Sequence, residues 1–397
     1  MVEIATRYFP PGHPSRLKAI ARKAFELQIG EGKFEEAVKL LRPEIELAST
    51  VPGMLDDVSY LSAKIELGRA LCAGGEGFGE GIRLIWEIVD AVRTSHGAVS
   101  LQSELPLVSI AFCLREIGDR GSTDFDFQAY ELAAARERPP SVNLMRRAET
   151  ALYLALENRM LDRAGYFYQQ ALLNAESLPA GRIRERFIRR ITPGHVAWLA
   201  LTGEVDRAET IAKANADAVD DLHGAIMQIG RALAQRESGQ FAAAIDIARQ
   251  TEAAGLKRKN AAVVTDARVS LAATQLEAGD FAAALSWANK ALEYQDQFSF
   301  DPPAADLGIV VGRARLANGR AREAIDPLRE AYGFWLGHDP KSVWAAEAEY
   351  WLGRAYLASG DAKRGRWMVT EARQTLASSK LKSHQRLAQT EVPGATR

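Results

Sequence analysis

LEAGDFAAALSWANKALEY, residues 276 to 294, is the stretch that decides the fold. After its glycine, apolar residues recur at steps of three and four, which places them in one stripe along an α-helix. Those residues are Phe281, Ala284, Leu285, Ala288 and Leu292. The residues before the glycine follow the same spacing at Val269, Ala272, Ala273 and Leu276. The stretch therefore predicts two amphipathic helices joined at Gly279, because glycine readily adopts the left-handed conformation that ends a helix.

The same turn recurs along the chain as a glycine, a variable residue, a bulky or small residue, two variable residues and a small residue. The copies are GKFEEA (32–37), GEVDRA (203–208), GQFAAA (239–244), GDFAAA (279–284), GRAREA (319–324) and GDAKRG (360–365), with a weaker RMLDRA at 159–164. The last four copies end at residues 244, 284, 324 and 365, at intervals of 40, 40 and 41. This period predicts a stack of helix pairs, because a single pair cannot bury both of its faces.

A second phrase is repeated in the first helix of the pairs, as LGRAL (67–71), IGRAL (229–233), VGRAR (311–315) and LGRAY (352–356). The segments LGRAYLASGDAKRG (352–365) and SLAATQLEAGDFAAALSWANKALEY (270–294) resemble tetratricopeptide repeats. Their period, and the linkers FPPGHPS (9–15) and WLGHDPKS (335–342), are similar to the long repeats of kinesin light chains and of some bacterial signalling proteins. The resemblance implies an all-α, right-handed α-solenoid of about nine helix-turn-helix repeats over residues 1–378, whose first helices line a concave groove.

Three segments are expected within the chain: an N-terminal arm of divergent repeats (1–178), a C-terminal arm of regular repeats (179–378) and a basic flexible tail (379–397). Pro193 lies inside a predicted first helix. Proline removes a backbone hydrogen bond and kinks or breaks a helix, so an irregular joint is expected near 178–195. The tail has no periodic apolar stripe after Leu387, which favours disorder.

Charge and hydropathy indicate an ordinary globular chain without a nucleic-acid or membrane role. Fifty basic side chains against 51 acidic ones give a formal net charge of −1, which makes nucleic acid an unfavoured partner. No apolar run reaches the roughly 18 residues that would cross a bilayer.

The two cysteines, Cys72 and Cys113, lack metal-ligand spacing and are expected to pack as small apolar side chains. Two unpaired thiols favour a reducing compartment, and we expect a cytoplasmic protein.

Motifs of catalysis are not found in the sequence. HExxH, GxSxG and GxxxxGK do not occur, and the six histidines have no partners at ligand spacing. GGEGFGEG (74–81) follows a predicted helix and no lysine comes soon after it, so it is interpreted as a lengthened turn instead of a phosphate loop. We therefore expect no enzyme activity, no catalytic residue, no metal and no cofactor.

The arginine of the repeated phrase is the candidate binding residue. On a helix, Arg354 lies about 200° round from Leu352 and so points away from the face that packs within the pair. If the first helices line a groove, the residues facing it are Arg231, Arg313 and Arg354, with Arg69 farther along, and Tyr350, Trp351 and Glu347. Arginine pairs with carboxylates and phosphates, which indicates an acidic or phosphorylated ligand. Alternatively, the arginines cover their neighbours or pair with acids such as Glu347 and Asp306 on adjacent helices.

The sequence thus predicts a non-enzymatic scaffold that binds a protein or peptide segment, with a signalling kinase or a transcription factor among the candidate partners. A second interpretation is the sensory region of a bacterial signalling protein, a serine/threonine kinase or transcription regulator, whose output domain lies elsewhere. It rests on the opening MVEIATRYFPPGHPS, which resembles the end of a repeat and a linker. Nothing in the sequence indicates an oligomeric state.

Overall fold

The computed structural model describes residues 2–75, 77–97, 100–119, 121–215, 222–294 and 302–391, and within these ranges it contains twenty α-helices, two short 3-10 helices and no β-strand. The chain divides into two compact units, Met1–Ala151 and Leu152–Arg397. The arms expected from the sequence, 1–178 and 179–378, remain a prediction. No helix within the described ranges is long and apolar enough to cross a membrane.

The first unit contains seven complete helices and most of an eighth, which runs past its end. They are α1 (Val2–Tyr8), α2 (Pro14–Glu31), α3 (Phe34–Ser49), α4 (Val58–Ala73), α5 (Phe78–His96), α6 (Glu104–Glu116), α7 (Ser122–Arg136) and α8 (Val142–Glu157). The 3-10 helices Met54–Asp56 and Leu101–Ser103 precede α4 and α6.

The second unit continues the same alternation of helix and turn. Its helices are α9 (Leu161–Glu176), α10 (Arg182–Leu201), α11 (Val205–Ala214), α12 (Leu222–Glu237), α13 (Phe241–Arg258), α14 (Ala261–Ala278), α15 (Phe281–Leu292), α16 (Pro302–Ala317), α17 (Ala321–His338), α18 (Val343–Ser359), α19 (Ala362–Leu376) and α20 (Lys382–Gln389). In chain order, α2 to α19 make nine helix-turn-helix repeats. The prediction of an all-α solenoid of about nine repeats is confirmed.

The repeated turn has the conformation that its glycine predicts. All six anchor glycines have positive φ, between 64° and 103°. In the weaker copy, Arg159 takes the glycine's place and also has a positive φ, of 55°. The small residue that closes each anchor is completely buried at Ala37, Ala164, Ala208, Ala244, Ala284 and Ala324. The turn and the close approach of the two helices therefore explain the first repeated pattern.

The glycine of the second phrase lets the paired helices come close together. A Cβ atom at Gly353 would lie 2.9 Å from Val369 Cγ2 and 3.0 Å from the carbonyl oxygen of Gly365, both on α19. The equivalent Gly312 and Gly68 are as tightly enclosed, by Leu328 and Ile85. Glycine recurs at these positions because a side chain does not fit between the helices.

Pro193 does not break α10, contrary to expectation. The helix runs without interruption from Arg182 to Leu201. The proline leaves the backbone carbonyl of Arg189 without its usual N–H partner. The backbone carbonyls on either side of it, those of Ile188 and Arg190, each accept a hydrogen bond from a hydroxyl group. Thr192 donates to Ile188 at 2.8 Å and Tyr153 donates to Arg190 at 2.5 Å. The irregular joint is confined to the turn at 177–181, before α10 begins.

The expectation of two free thiols is wrong. Cys72 on α4 and Cys113 on α6 form a disulfide, with their Cα atoms 5.3 Å apart. They are separated by 41 residues, which is one repeat, so they occupy equivalent positions on successive first helices. The argument for a reducing compartment from unpaired cysteines therefore no longer applies.

Replacing Gly353 with alanine should lower stability even though alanine favours helix. Overpacking costs roughly 1–3 kcal/mol, which exceeds a helix-propensity gain of about 1 kcal/mol. Gly333 on α17 is the matched control, because a Cβ atom there would have no neighbouring atom within 4 Å. Urea unfolding should show G353A less stable and G333A slightly more stable than the wild type. Equal shifts for the two variants would contradict the close-packing role.

Candidate functional site

Helix α20 packs on the second unit, although a flexible tail was expected over residues 379–397. Leu381, immediately before it, is buried in a cluster with Trp335 and Trp344. At the other end, Leu387 and Ala388 pack against the cluster around Tyr350. An isolated helix of eight residues is marginal in water, so α20 depends on tertiary contacts, and these apolar contacts are one part of them. Residues 392–397 of the expected tail lie outside the described part of the chain.

Three glutamates from three first helices contact α20, and we call them the carboxylate face: Glu237 on α12, Glu277 on α14 and Glu347 on α18. The backbone N–H of Ser383 donates to Glu237 Oε2 at 3.0 Å. The ring Nε2 of His384 lies 3.3 Å from Glu347 Oε2, and Arg386 donates to Glu277 Oε2 at 2.6 Å. Three first helices of the repeat thus each supply a carboxylate to one short basic helix.

Both ends of the α20 dipole are matched by charge. Leu381, at the N-cap, makes no side-chain cap, and the carboxylate of Glu237 binds the first turn in its place. Arg373 of α19 donates to the carbonyl of Ala388 in the last turn at 2.6 Å. A negative group at a helix N-terminus and a positive group at its C-terminus are both stabilising. Glu237 and Arg373 therefore both stabilise α20 in its observed direction.

Arg313 is the central cation of the carboxylate face. Its guanidinium lies 2.7 Å from Glu277 and 3.3 Å from Glu347, and it stacks over the ring of Trp351 at 4.6 Å. Burial raises the pKa of both glutamates, but nearby positive charge and hydrogen bonds outweigh it. The hydrogen bond and charge of His384, with Arg313 and Arg236, lower the pKa of Glu347 to about 2. Arg313 is the largest cause that lowers the pKa of Glu277. Both carboxylates are therefore ionised at neutral pH.

The structure brings together only some of the residues proposed from sequence. Arg313, Glu347 and Trp351 meet in the carboxylate face. Arg354 donates to the hydroxyl of Tyr350 at 3.1 Å. Tyr350 itself is 1% exposed and belongs to the core, so it cannot be an open anchoring side chain for a ligand.

Arg231 and Arg69 have other neighbours. Arg231 binds both oxygens of Glu209 on α11, at 2.9 and 3.0 Å. Arg69 belongs to the first unit, where it lies 3.6 Å from Glu66 and 4.7 Å from the ring centre of Phe112. The alternative that the arginines pair with acids on adjacent helices is therefore observed for Arg231 and Arg313, and Asp306 pairs with Arg159.

Sequence reasoning missed Glu237, Glu277, His384 and Arg386, although signals for them exist. Glu237 and Glu277 each stand two residues before a turn glycine and are 40 residues apart, so they repeat as regularly as the arginines. In the C-terminal segment, Leu381, His384 and Leu387 recur at steps of three, which is helical spacing. The stripe is short and ends at Leu387, so the residues after it carry no helical signal.

Among the residues that the structure describes, no group of three or more His, Cys, Asp and Glu side chains is arranged to hold a metal ion. Two glutamates of the carboxylate face, Glu277 and Glu347, pair with cations of the same chain, and Glu237 accepts a backbone N–H. The arrangement is one that binds a charged segment.

Removing Arg313 should destabilise the chain far more than removing Arg354. R313A leaves Glu277 and Glu347 with one cation fewer in a largely buried site, where breaking an ion pair costs roughly 3–5 kcal/mol. R354A removes one hydrogen bond to a phenol, worth about 0.5–1.5 kcal/mol and up to roughly 3 for a charged donor. Chemical denaturation of the two variants measures both losses. A loss for R354A equal to that for R313A would contradict the central role of Arg313.

No family model matches the chain, and no curated protein matches it by sequence. Several solved structures resemble it. Kinesin light chain TPR-like repeats from Podosopora anserina are 17% identical, over 48% of this chain and 96% of theirs, with a TM-score of 0.36. A Rap protein complexed with competence and sporulation factor is 11% identical over 94% of each chain, with a TM-score of 0.49. Yeast Tom70 is 13% identical, over 98% of this chain and 84% of its own, with a TM-score of 0.42.

Proposed function

We propose that this tetratricopeptide-like repeat chain is a protein-interaction scaffold, and that the first helices of its second unit bind a helical segment of a partner protein. The observation that supports the proposal is the position of α20. A single helix contacts α12, α14 and α18 through one carboxylate from each. A surface that holds one helix by charge and by apolar contacts at both ends has the properties needed to hold another.

The chemistry of the site favours binding over catalysis. Glu277 and Glu347 are held in ion pairs, and the pKa of Glu347 is about 2, far from the range in which a general base works near neutral pH. The proposal is therefore a scaffold without enzymatic activity, whose partner is a protein or peptide, with a signalling kinase or a transcription factor as candidates.

An acidic or phosphorylated segment was the ligand expected from the repeated arginines. Arg231 and Arg313 are both in ion pairs with glutamates, so an acidic segment would have to displace Glu209, Glu277 or Glu347. Arg354 is different, because the polar partner that the structure gives it is a neutral phenol. Among the proposed arginines, Arg354 is the best placed to receive an acidic group from a partner.

A photo-crosslinking amino acid in place of Ala358 should capture the partner in living cells. Ala358 is an exposed residue of α18, one turn beyond Arg354, so Arg354 itself is kept. Trp367 on α19, which is 60% exposed, provides a control position on a second helix. We expect crosslinked protein at 358 and little at 367. Equal yields at both positions, or capture at 367 alone, would contradict binding on the first helices.

A further inference from the structure

We infer that the carboxylate face binds a basic amphipathic helix of a partner, and that α20 is an internal competitor which occupies the face until such a helix displaces it. The inference rests on the proposed function and adds the chemistry of the ligand and the way in which access is controlled.

The charge of the present occupant indicates the charge of the ligand. His384 and Arg386, the side chains that meet Glu347 and Glu277, are two residues apart. Two residues on a helix are separated by about 200°, so the two side chains leave opposite sides of α20. The helix therefore reaches a carboxylate on α14 through one side chain and a carboxylate on α18 through the other. A ligand for this face needs two side chains, two residues apart on a helix, that donate to carboxylates, a cation at the position of Arg386, and apolar residues at both ends.

Helix α20 satisfies the carboxylate face incompletely. Glu237 is 2% exposed, and its Oε2 accepts only a backbone N–H from α20. Its Oε1 has no hydrogen-bond partner within the described residues. A buried carboxylate oxygen without a donor is unfavourable, so a ligand that offers a further donor at this point gains over α20.

Helix α20 is also replaceable. The side chain of Arg386 is half exposed, so solvent screens part of its attraction to Glu277. The advantage of α20 is that its short connection to α19 keeps it at a high effective concentration. A free ligand meets only the fraction of molecules whose face is open, which weakens its apparent affinity in proportion to that fraction. Loosening α20 should therefore strengthen the binding of a basic helix supplied from outside.

The test uses the full chain and a fluorescent synthetic peptide of residues 379–391, SKLKSHQRLAQTE, followed by fluorescence anisotropy. R386E places a negative charge beside Glu277 and should release α20 without touching the core. K382E makes the same charge change on an exposed position of α20 and is the matched control. We expect the peptide to bind R386E at least about tenfold more tightly than the wild type or K382E. Thermal unfolding and circular dichroism check that all three remain folded.

Two further measurements locate the binding site of the peptide and establish which charge it prefers. Adding E237Q to R386E should weaken peptide binding several-fold, because the carboxylate that binds the first turn is lost. A peptide in which His384 and Arg386 are both replaced by glutamate should bind none of the proteins measurably. Equal binding of the basic peptide to the wild type, R386E and K382E would overturn the inference, as would equal binding of the acidic peptide.

Failure of this inference is distinguishable from failure of the proposed function. A partner crosslinked at position 358, together with no binding of the basic peptide to R386E, would overturn the inference and leave the scaffold function standing. If neither a partner nor the peptide binds, both are rejected.

Discussion

A carboxylate that is buried away from water needs a cation or hydrogen-bond donors. In the second unit, three first helices each carry such a carboxylate. Glu277 and Glu347 share Arg313, and the rest of their pairing comes from α20. Glu237 completes the set by binding the first turn of α20. The order of the C-terminal segment thus depends on the charges that the repeats place beside it.

The repeat generates part of this arrangement, because Glu237 and Glu277 occupy equivalent positions, whereas Glu347 lies at a different position in its helix. A period near 40 places equivalent side chains on successive first helices, as the 40 residues between Glu237 and Glu277 illustrate. Gly353, Gly312 and Gly68 let the second helix of their own pair approach closely. The small residues that define the repeat are thus explained by packing, whereas the acids and arginines between them form the surface on which a segment can lie.

The fold could be predicted because helical spacing and the glycine turn are local properties of sequence. Gly279 and the five equivalent anchors adopt the left-handed conformation that the pattern predicts. The site could be predicted less well. The helical position of Arg313 gives the direction of its side chain, but it does not decide which acids on the neighbouring helices meet it. The helix α20 was missed for a related reason: eight residues carry a weak periodic signal, and their order comes from tertiary contacts. Cys72 and Cys113 could have been paired from their separation of one repeat.

The central claim is that the carboxylate face holds α20, and amide hydrogen exchange of the full chain tests it most directly. Slow exchange is predicted for the amides of residues 385–389 in the wild type. In a variant with E237Q and E277Q, that protection should be lost while α19 keeps its own. Exchange of α20 in the wild type as fast as in the isolated 379–391 peptide would contradict the account.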